Sequence, residues 1–262
     1  MSKVTSIEKA IGIIKDGDIV AIGGNVLHRV SHAAVREIIK QGRKNLELIK
    51  TAGAHDVDIL CAVDAVKAVA AGYISYETEY GLCNHYRKAV EGGKVEAKEH
   101  ACYTVISGLR AAVQGVPFMP VRGMVGSDLI EARGFKFVKD PYTGEELIAA
   151  QAIKPDVAII HVQEADIYGN ARILGPKYED AIMAKAAKKV IITCERIVDT
   201  KEFTDCPERT DIQDFLTTCV VEIPGGAKPG SCAGFYDIDR KKLDEFKKIK
   251  SKEYILDFVN TY

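Results

Sequence analysis

The sequence predicts an α/β fold: an open, mostly parallel sheet flanked by helices, in a single domain over residues 1–262. Three observations predict it. Short apolar runs alternate with stretches whose apolar residues recur at helical spacing. Glycine and other turn residues close the runs. No repeat or low-complexity linker divides the 262 residues, a length suited to one large α/β domain.

Ile7, Ala10, Ile11 and Ile14 predict a helix from Ile7 to Lys15. Asp16-Gly17-Asp18 turns the chain into Ile19-Val20-Ala21-Ile22, a glycine-bounded apolar run of the kind a buried parallel strand shows. After the loop from Gly23 to Val30, Ser31 stands as N-cap of a helix carrying Ala34, Val35, Ile38 and Ile39. Gln41-Gly42 ends that helix and Leu46 to Ile49 is the next strand, giving a βαβ unit with a right-handed crossover. Strands are then expected at Val66 to Ala71 and Tyr73 to Ser75, followed by a helix around Asn84 to Glu91. A helix from Ser107 to Gln114 stops before Pro117. Arg122 to Glu146 has weak periodicity and reads as a long excursion of the functional kind. A strand at Val157 to Ile160, an alanine-rich helix at Lys177 to Lys188 and a strand at Val190 to Thr193 restore the alternation. Leu243, Phe246 and Ile249, spaced by three in the lysine-rich segment Asp239 to Glu253, predict an amphipathic helix with a solvated face.

Composition narrows the function classes. Lys and Arg number 36 and Asp and Glu 37, so no basic excess points to nucleic acid. No apolar stretch approaches the roughly 18 residues of a membrane span. Met1 to Lys15 mixes charge into its apolar positions and reads as a folded helix, not a signal peptide. The seven cysteines are odd in number and lack a CxxC pair, so neither a disulfide framework nor a metal site is expected. Reduced, mostly buried thiols in a cytoplasmic protein fit that pattern.

The chemistry-bearing loop is Gly23-Gly24-Asn25-Val26-Leu27-His28-Arg29-Val30-Ser31. Two glycines at the C-terminal end of a strand let a ligand approach the backbone, and the next helix offers N–H groups to an anion. Ligands of open α/β sheets bind at this edge. The loop lacks both the third glycine of GxGxxG and the GK[ST] of a phosphate-binding loop.

Asp16-Gly17, the apolar run, Gly23-Gly24 and the following helix together resemble the start of the α (A) subunits of family I coenzyme A transferases. His28, Arg29 and Ser31 stand closest to the glutaconate CoA-transferase branch. The resemblance continues through Gly108-Leu109-Arg110-Ala111, Val116 to Pro120 and Gly126-Ser127-Asp128. It runs on through Gln163 to Asn170, Glu195-Arg196-Ile197-Val198 and Pro224-Gly225-Gly226-Ala227, along nearly the whole chain. Lys228-Pro229 departs from it, standing where the family often has histidine.

The resemblance implies a CoA-transferase acting by ping-pong through a glutamyl-CoA thioester, with CoA entering as part of the substrate and no separate cofactor. The glutamate belongs to the β subunit, in a Ser-Glu-Asn-Gly motif that this chain lacks. After Leu46 to Ile49 stand Lys50-Thr51-Ala52-Gly53, with no carboxylate. Glu79, in Glu79-Tyr80-Gly81, lies about thirty residues later and is expected, with Glu77, on a pocket or interface loop. No catalytic residue is therefore expected in this chain. The partners are a β subunit, an acyl-CoA and a short-chain or dicarboxylic acid.

The wall of the acyl pocket is assigned to Gly23, Gly24, Asn25, His28, Arg29, Ser75 and Ser127. Arg29 fits a bidentate carboxylate clamp and equally an ion pair with a surface acid. Asp128 and Asp166 read as turn residues, Arg110 as an internal ion-pair partner and Cys194 as core. Two other functions remain open at this point. One is an acyl-CoA hydrolase resembling the steroid-ring-cleaving branch, whose working glutamate corresponds by count to Cys102, with Glu99 nearby. The other is a non-catalytic ligand-binding domain.

Overall fold

A computed structural model describes residues 1–261; Tyr262, the last residue of the expected domain, lies outside the described residues. The chain opens with helix α1 (Ile7–Ile11), strand β1 (Ile19–Ile22), α2 (His32–Lys40) and β2 (Leu46–Gly53). It continues through α3 (His55–Ala62), β3 (Val66–Ile74), α4 (Glu77–Tyr80), α5 (Asn84–Glu91), β4 (Glu96–Glu99) and α6 (Cys102–Val113). A separate insertion follows, with β5 (Phe118–Val121), α7 (Leu129–Ala132), β6 (Lys136–Lys139) and β7 (Glu146–Gln151). The chain then returns through β8 (Val157–Ala165), β9 (Ala171–Arg172), α8 (Asp180–Ala186), β10 (Lys189–Ile197), α9 (Lys201–Asp205) and β11 (Cys219–Glu222). It closes with α10 (Arg240–Lys248) and α11 (Lys252–Val259).

The principal sheet runs β11-β10-β8-β1-β2-β3-β4, parallel throughout, with β9 pairing antiparallel onto β8. The chain leaves β1 toward β4, then restarts at β8 on the other side of β1. The crevice between the carboxyl ends of β1 and β8 is therefore the topological switch point, where such sheets bind ligands.

Each sheet face has its own core. Ile22, Leu46, Leu48 and Val69 pack under Ala34, Val35, Ile38, Leu243 and Phe246 on one face. Ala21, Ile49, Ala158 and Ile160 pack under Val105, Leu109 and Met183 on the other. Both faces being covered explains why the central strands are apolar runs and not alternating ones. Gly108 of α6 lets that helix lie close to the chain, because a Cβ there would sit 2.7 Å from the Gln151 carbonyl oxygen.

Several expectations are corrected. The first helix stops at Ile11, where Gly12 caps it. The strand expected to end at Ile49 runs on to Gly53, so Thr51 and Ala52 lie inside β2. The two short runs around Gly72 are one strand, because Gly72 packs directly on the backbone of Cys102. The excursion from Arg122 to Glu146 is folded: it supplies α7 and the edge strand β6 of an antiparallel sheet ordered β5-β7-β6, and it adds Ile130 to a small core with Val121, Ile148 and Ala150. The lysine-rich tail is two helices, which meet at Ile249, Lys250 and Ser251. Arg110 is exposed on α6, and no ion pair forms on it among the described residues.

Candidate active site

The loop after β1 turns sharply at the switch point. Gly24 (φ +72°), Val26 (φ +50°) and Arg29 (φ +56°) all take left-handed backbone, which only the glycine adopts without strain. Several of its N–H groups are engaged within the chain. Gly23 donates to the Ile159 carbonyl, Gly24 to Asp180 Oδ1 at 2.9 Å, Asn25 to His28 and Val26 to Ala52. At the start of α2, His32 donates to Val30 and Ala33 to Gly226. The expected offer of N–H groups to an anion is thus corrected at these positions. Ser31 does not cap α2 with its side chain; its hydroxyl meets Thr193 Oγ1 at 2.8 Å instead.

Arg29 is buried. Its guanidinium pairs with the buried carboxylate of Asp180 and donates to the carbonyls of His161 (2.7 Å) and Pro176 (3.1 Å). Of its two sequence readings the structure realises the ion pair, though with an interior acid and not a surface one. From the other side, the fully buried Lys50 reaches up from β2. Its Nζ lies 3.2 Å from the carbonyl oxygens of Gly23 and Gly24 and 3.2 Å from Asp56 Oδ2.

A cavity of about 260 Å³ opens here, lined by His28, Arg29, Gln163, Leu174, Pro176, Tyr178, Ser231 and Ala233. Exposed His28 meets Ser231 Oγ through Nδ1 at 2.7 Å. Half-buried Asn25 has no side-chain hydrogen bond among the described residues. Gln163 is pinned by both ends of its amide, giving to Leu174 and Ala233 carbonyls and receiving from the Leu174 N–H. Burial raises the Tyr178 hydroxyl above its ordinary range, with Arg29 opposing.

Behind this wall runs a buried relay. Burial lowers the pKa of His161, so the ring is neutral near pH 7 and its contact with Glu195 (2.7 Å) is a hydrogen bond, not an ion pair. Thr193 Oγ1 stands 2.9 Å from the other ring nitrogen, Nδ1. Glu195 also accepts from the Tyr236 hydroxyl and the Gly225 N–H. His161, Glu195 and Cys232 bring donor atoms within 4.8 Å of one another. Both imidazole nitrogens and both carboxylate oxygens are already hydrogen-bonded, so the set works as a brace for the 223–236 segment.

The remaining assigned residues are spread. Ser75 follows β3, where its N–H meets the Gly53 carbonyl at the end of β2 and its hydroxyl donates to Gly81 (2.9 Å). Ser127 lies apart, in a depression with Gly126, Asp128, Ile130 and Phe135 that contains no glycine-loop residue. Asp166 gathers the N–H groups of Tyr168, Gly169 and Asn170, as a turn residue does. Cys194 is core, and burial raises its thiol to about 12. Cys102 opens α6 with Sγ 3.5 Å from the Thr51 carbonyl, while Glu99 pairs with Arg133. Glu79 pairs with Arg240 on the surface. Lys50, Asp180 and Gln163 were missed in the sequence. Asp180 stands 156 positions from Gly24, beyond any local pattern.

Residues 4–222 match the coenzyme A transferase family, and the chain belongs to that family. The A subunit of glutaconate CoA-transferase from Acidaminococcus fermentans is 34% identical over 97% of this chain and 85% of that one. The crystal structure of glutaconate coenzyme A-transferase from the same organism aligns with a TM-score of 0.93 at 34% identity, covering 100% of this chain and 88% of that one. The IpdA subunit of the cholesterol ring-cleaving hydrolase of Mycobacterium tuberculosis is 30% identical over 99% of this chain and 92% of that one. An uncharacterized protein of Archaeoglobus fulgidus is 38% identical over 98% of this chain, which spans 59% of that relative's length. Among the described residues no helix is long and apolar enough to cross a membrane.

Proposed function

We propose that the chain is the α component of a two-subunit CoA-transferase that moves CoA between an acyl-CoA and a short-chain or dicarboxylic acid. One observation carries the reading. The chain matches the A-type half of a transferase along nearly its whole length, yet β2 ends in Thr51-Ala52-Gly53, without a nucleophilic carboxylate.

The chemistry then divides between two chains. A glutamate of the partner attacks the acyl-CoA carbonyl, forms a mixed anhydride and releases CoA thiolate. The thiolate attacks the anhydride, frees the first acid and leaves a glutamyl-CoA thioester. The second acid reverses both steps. This chain contributes the wall: Gly23 and Gly24 form the turn, Asn25 and His28 offer polar groups, and Arg29 acts through its hold on Asp180, while Ser75 stands apart, bonded to Gly53 and Gly81. Ser127 lies in a separate depression and is not part of this wall. No separate cofactor is needed, since CoA arrives on the substrate.

Hydrolysis is the second reading, supported by the likeness to the ring-cleaving hydrolase chain. Against it, the position counted for a working carboxylate is Cys102, and neighbouring Glu99 is occupied by Arg133. Co-purification with the partner, followed by acyl-CoA and a panel of labelled acids, separates the two. CoA transfer to a labelled acid in excess of free CoA release supports the transferase. Free CoA release with no labelled thioester overturns it.

A further inference from the structure

The glycine loop is strained, and a fully buried ammonium lies under it. We infer that Lys50 is a positioning residue that clamps the Gly23-Gly24 turn in the shape that presents Asn25 and His28 to the acyl group. The inference rests on the transferase reading and extends it to a residue beneath the pocket.

The geometry is specific. Lys50 Nζ lies 3.2 Å from the carbonyl oxygens of Gly23 and Gly24, and its third neighbour is Asp56 Oδ2 at 3.2 Å. Asp56 is itself oriented, because its Oδ1 accepts the Ala54 N–H at 3.0 Å. Lys50 therefore ties the loop after β1 to the turn after β2. Asp180 takes the Gly24 N–H from the opposite side, so the Gly23–Gly24 peptide is gripped by a cation at its oxygen and an anion at its nitrogen. Two non-glycine residues of the same loop, Val26 and Arg29, sit in left-handed backbone. Such conformations persist only where the surroundings over-determine them, and they concentrate at functional sites. An apolar side chain would fill the space under the turn more cheaply than a buried ion pair. An ammonium, with three donors and no acceptor, can engage both turn carbonyls and the Asp56 carboxylate at once.

The test uses the two-subunit enzyme with Lys50→Met, and with Lys50→Met/Asp56→Asn to avoid a buried unpaired carboxylate. Amide hydrogen exchange over residues 23–29 reads the clamp directly. Steady-state kinetics read its consequence. The expected result is at least tenfold faster exchange in the loop, unchanged exchange in β8 and β10, intact assembly and a kcat at least tenfold lower. Unchanged loop exchange in the assembled double variant overturns the clamp. Faster loop exchange with wild-type kcat and KM overturns its positioning role. If the wild-type enzyme transfers no CoA, the proposed function fails, and the clamp still stands or falls on the exchange.

Discussion

The glycine-loop corner and the three-stranded sheet both carry arginine–carboxylate pairs, but in opposite surroundings. Arg29 and Asp180 expose 4% and 0% of their side chains, whereas Arg122 and Glu145, which bridge the small sheet, expose 73% and 41%. Both pairs join a guanidinium to a carboxylate; solvent decides what they do. Breaking the interior pair leaves a charge that water cannot reach, while breaking the surface pair leaves two solvated side chains. The corner is therefore a rigid constellation, and the small sheet is held by its apolar core and strand pairing.

Removing half of the interior pair is the sharpest way to break this contrast. Arg29→Ala strands Asp180 and is expected to lower unfolding stability by about 3–5 kcal/mol, read by denaturant titration. A loss below about 1 kcal/mol would mean that the corner behaves like the surface.

The second effect is pH dependence. His32 and His55 are buried with rings 5.1 Å apart, and both nitrogens of His32 lack a hydrogen-bond partner. Burial holds both pKa values well below the ordinary histidine value of 6.5. The unfolded chain takes up these protons near pH 6.5 and the folded chain does not. Their contribution is therefore complete above that pH and is lost as pH falls below it, by up to about 1.4 kcal/mol per unit for each ring. Unfolding midpoints should hold from pH 7.5 to about 6.5 and fall from there to pH 5.5, and a flat profile across the whole range would contradict this burial.

Gly24→Ala is expected to cost about 1–3 kcal/mol, because φ is +72° and the new Cβ would lie 2.5 Å from the Arg29 carbonyl oxygen. Its thermal unfolding should show the loss without any change in the small sheet. Smallest of all, Arg122→Ala should leave the unfolding midpoint where it was. A clear shift there would show that the small sheet depends on its ion pair after all.

Parts of this architecture are legible from local pattern alone. Ile19 to Ile22 stands out because a strand covered on both faces must be apolar at each position. Asn84 to Glu91 stands out because glycine follows directly where the helix ends. The small sheet is hidden because its strands are short and half-exposed: Lys136-Phe137-Val138-Lys139 carries no stronger signal than a loop. The glycine loop is visible, but what holds it is not. Lys50 reads as an ordinary polar end to a strand until the fold places it beneath Gly23 and Gly24. Arg29 looks like a ligand clamp until Asp180 arrives from the far half of the chain.

The most direct measurement of the divided active site is borohydride trapping on the native complex. The complex is incubated with acyl-CoA and reduced, and both chains are mapped by mass spectrometry, with this chain purified alone as the control. The account predicts a reduced glutamate on the partner, none on this chain, and no CoA transfer by the isolated chain. A trapped residue on this chain, or robust turnover without a partner, would contradict it.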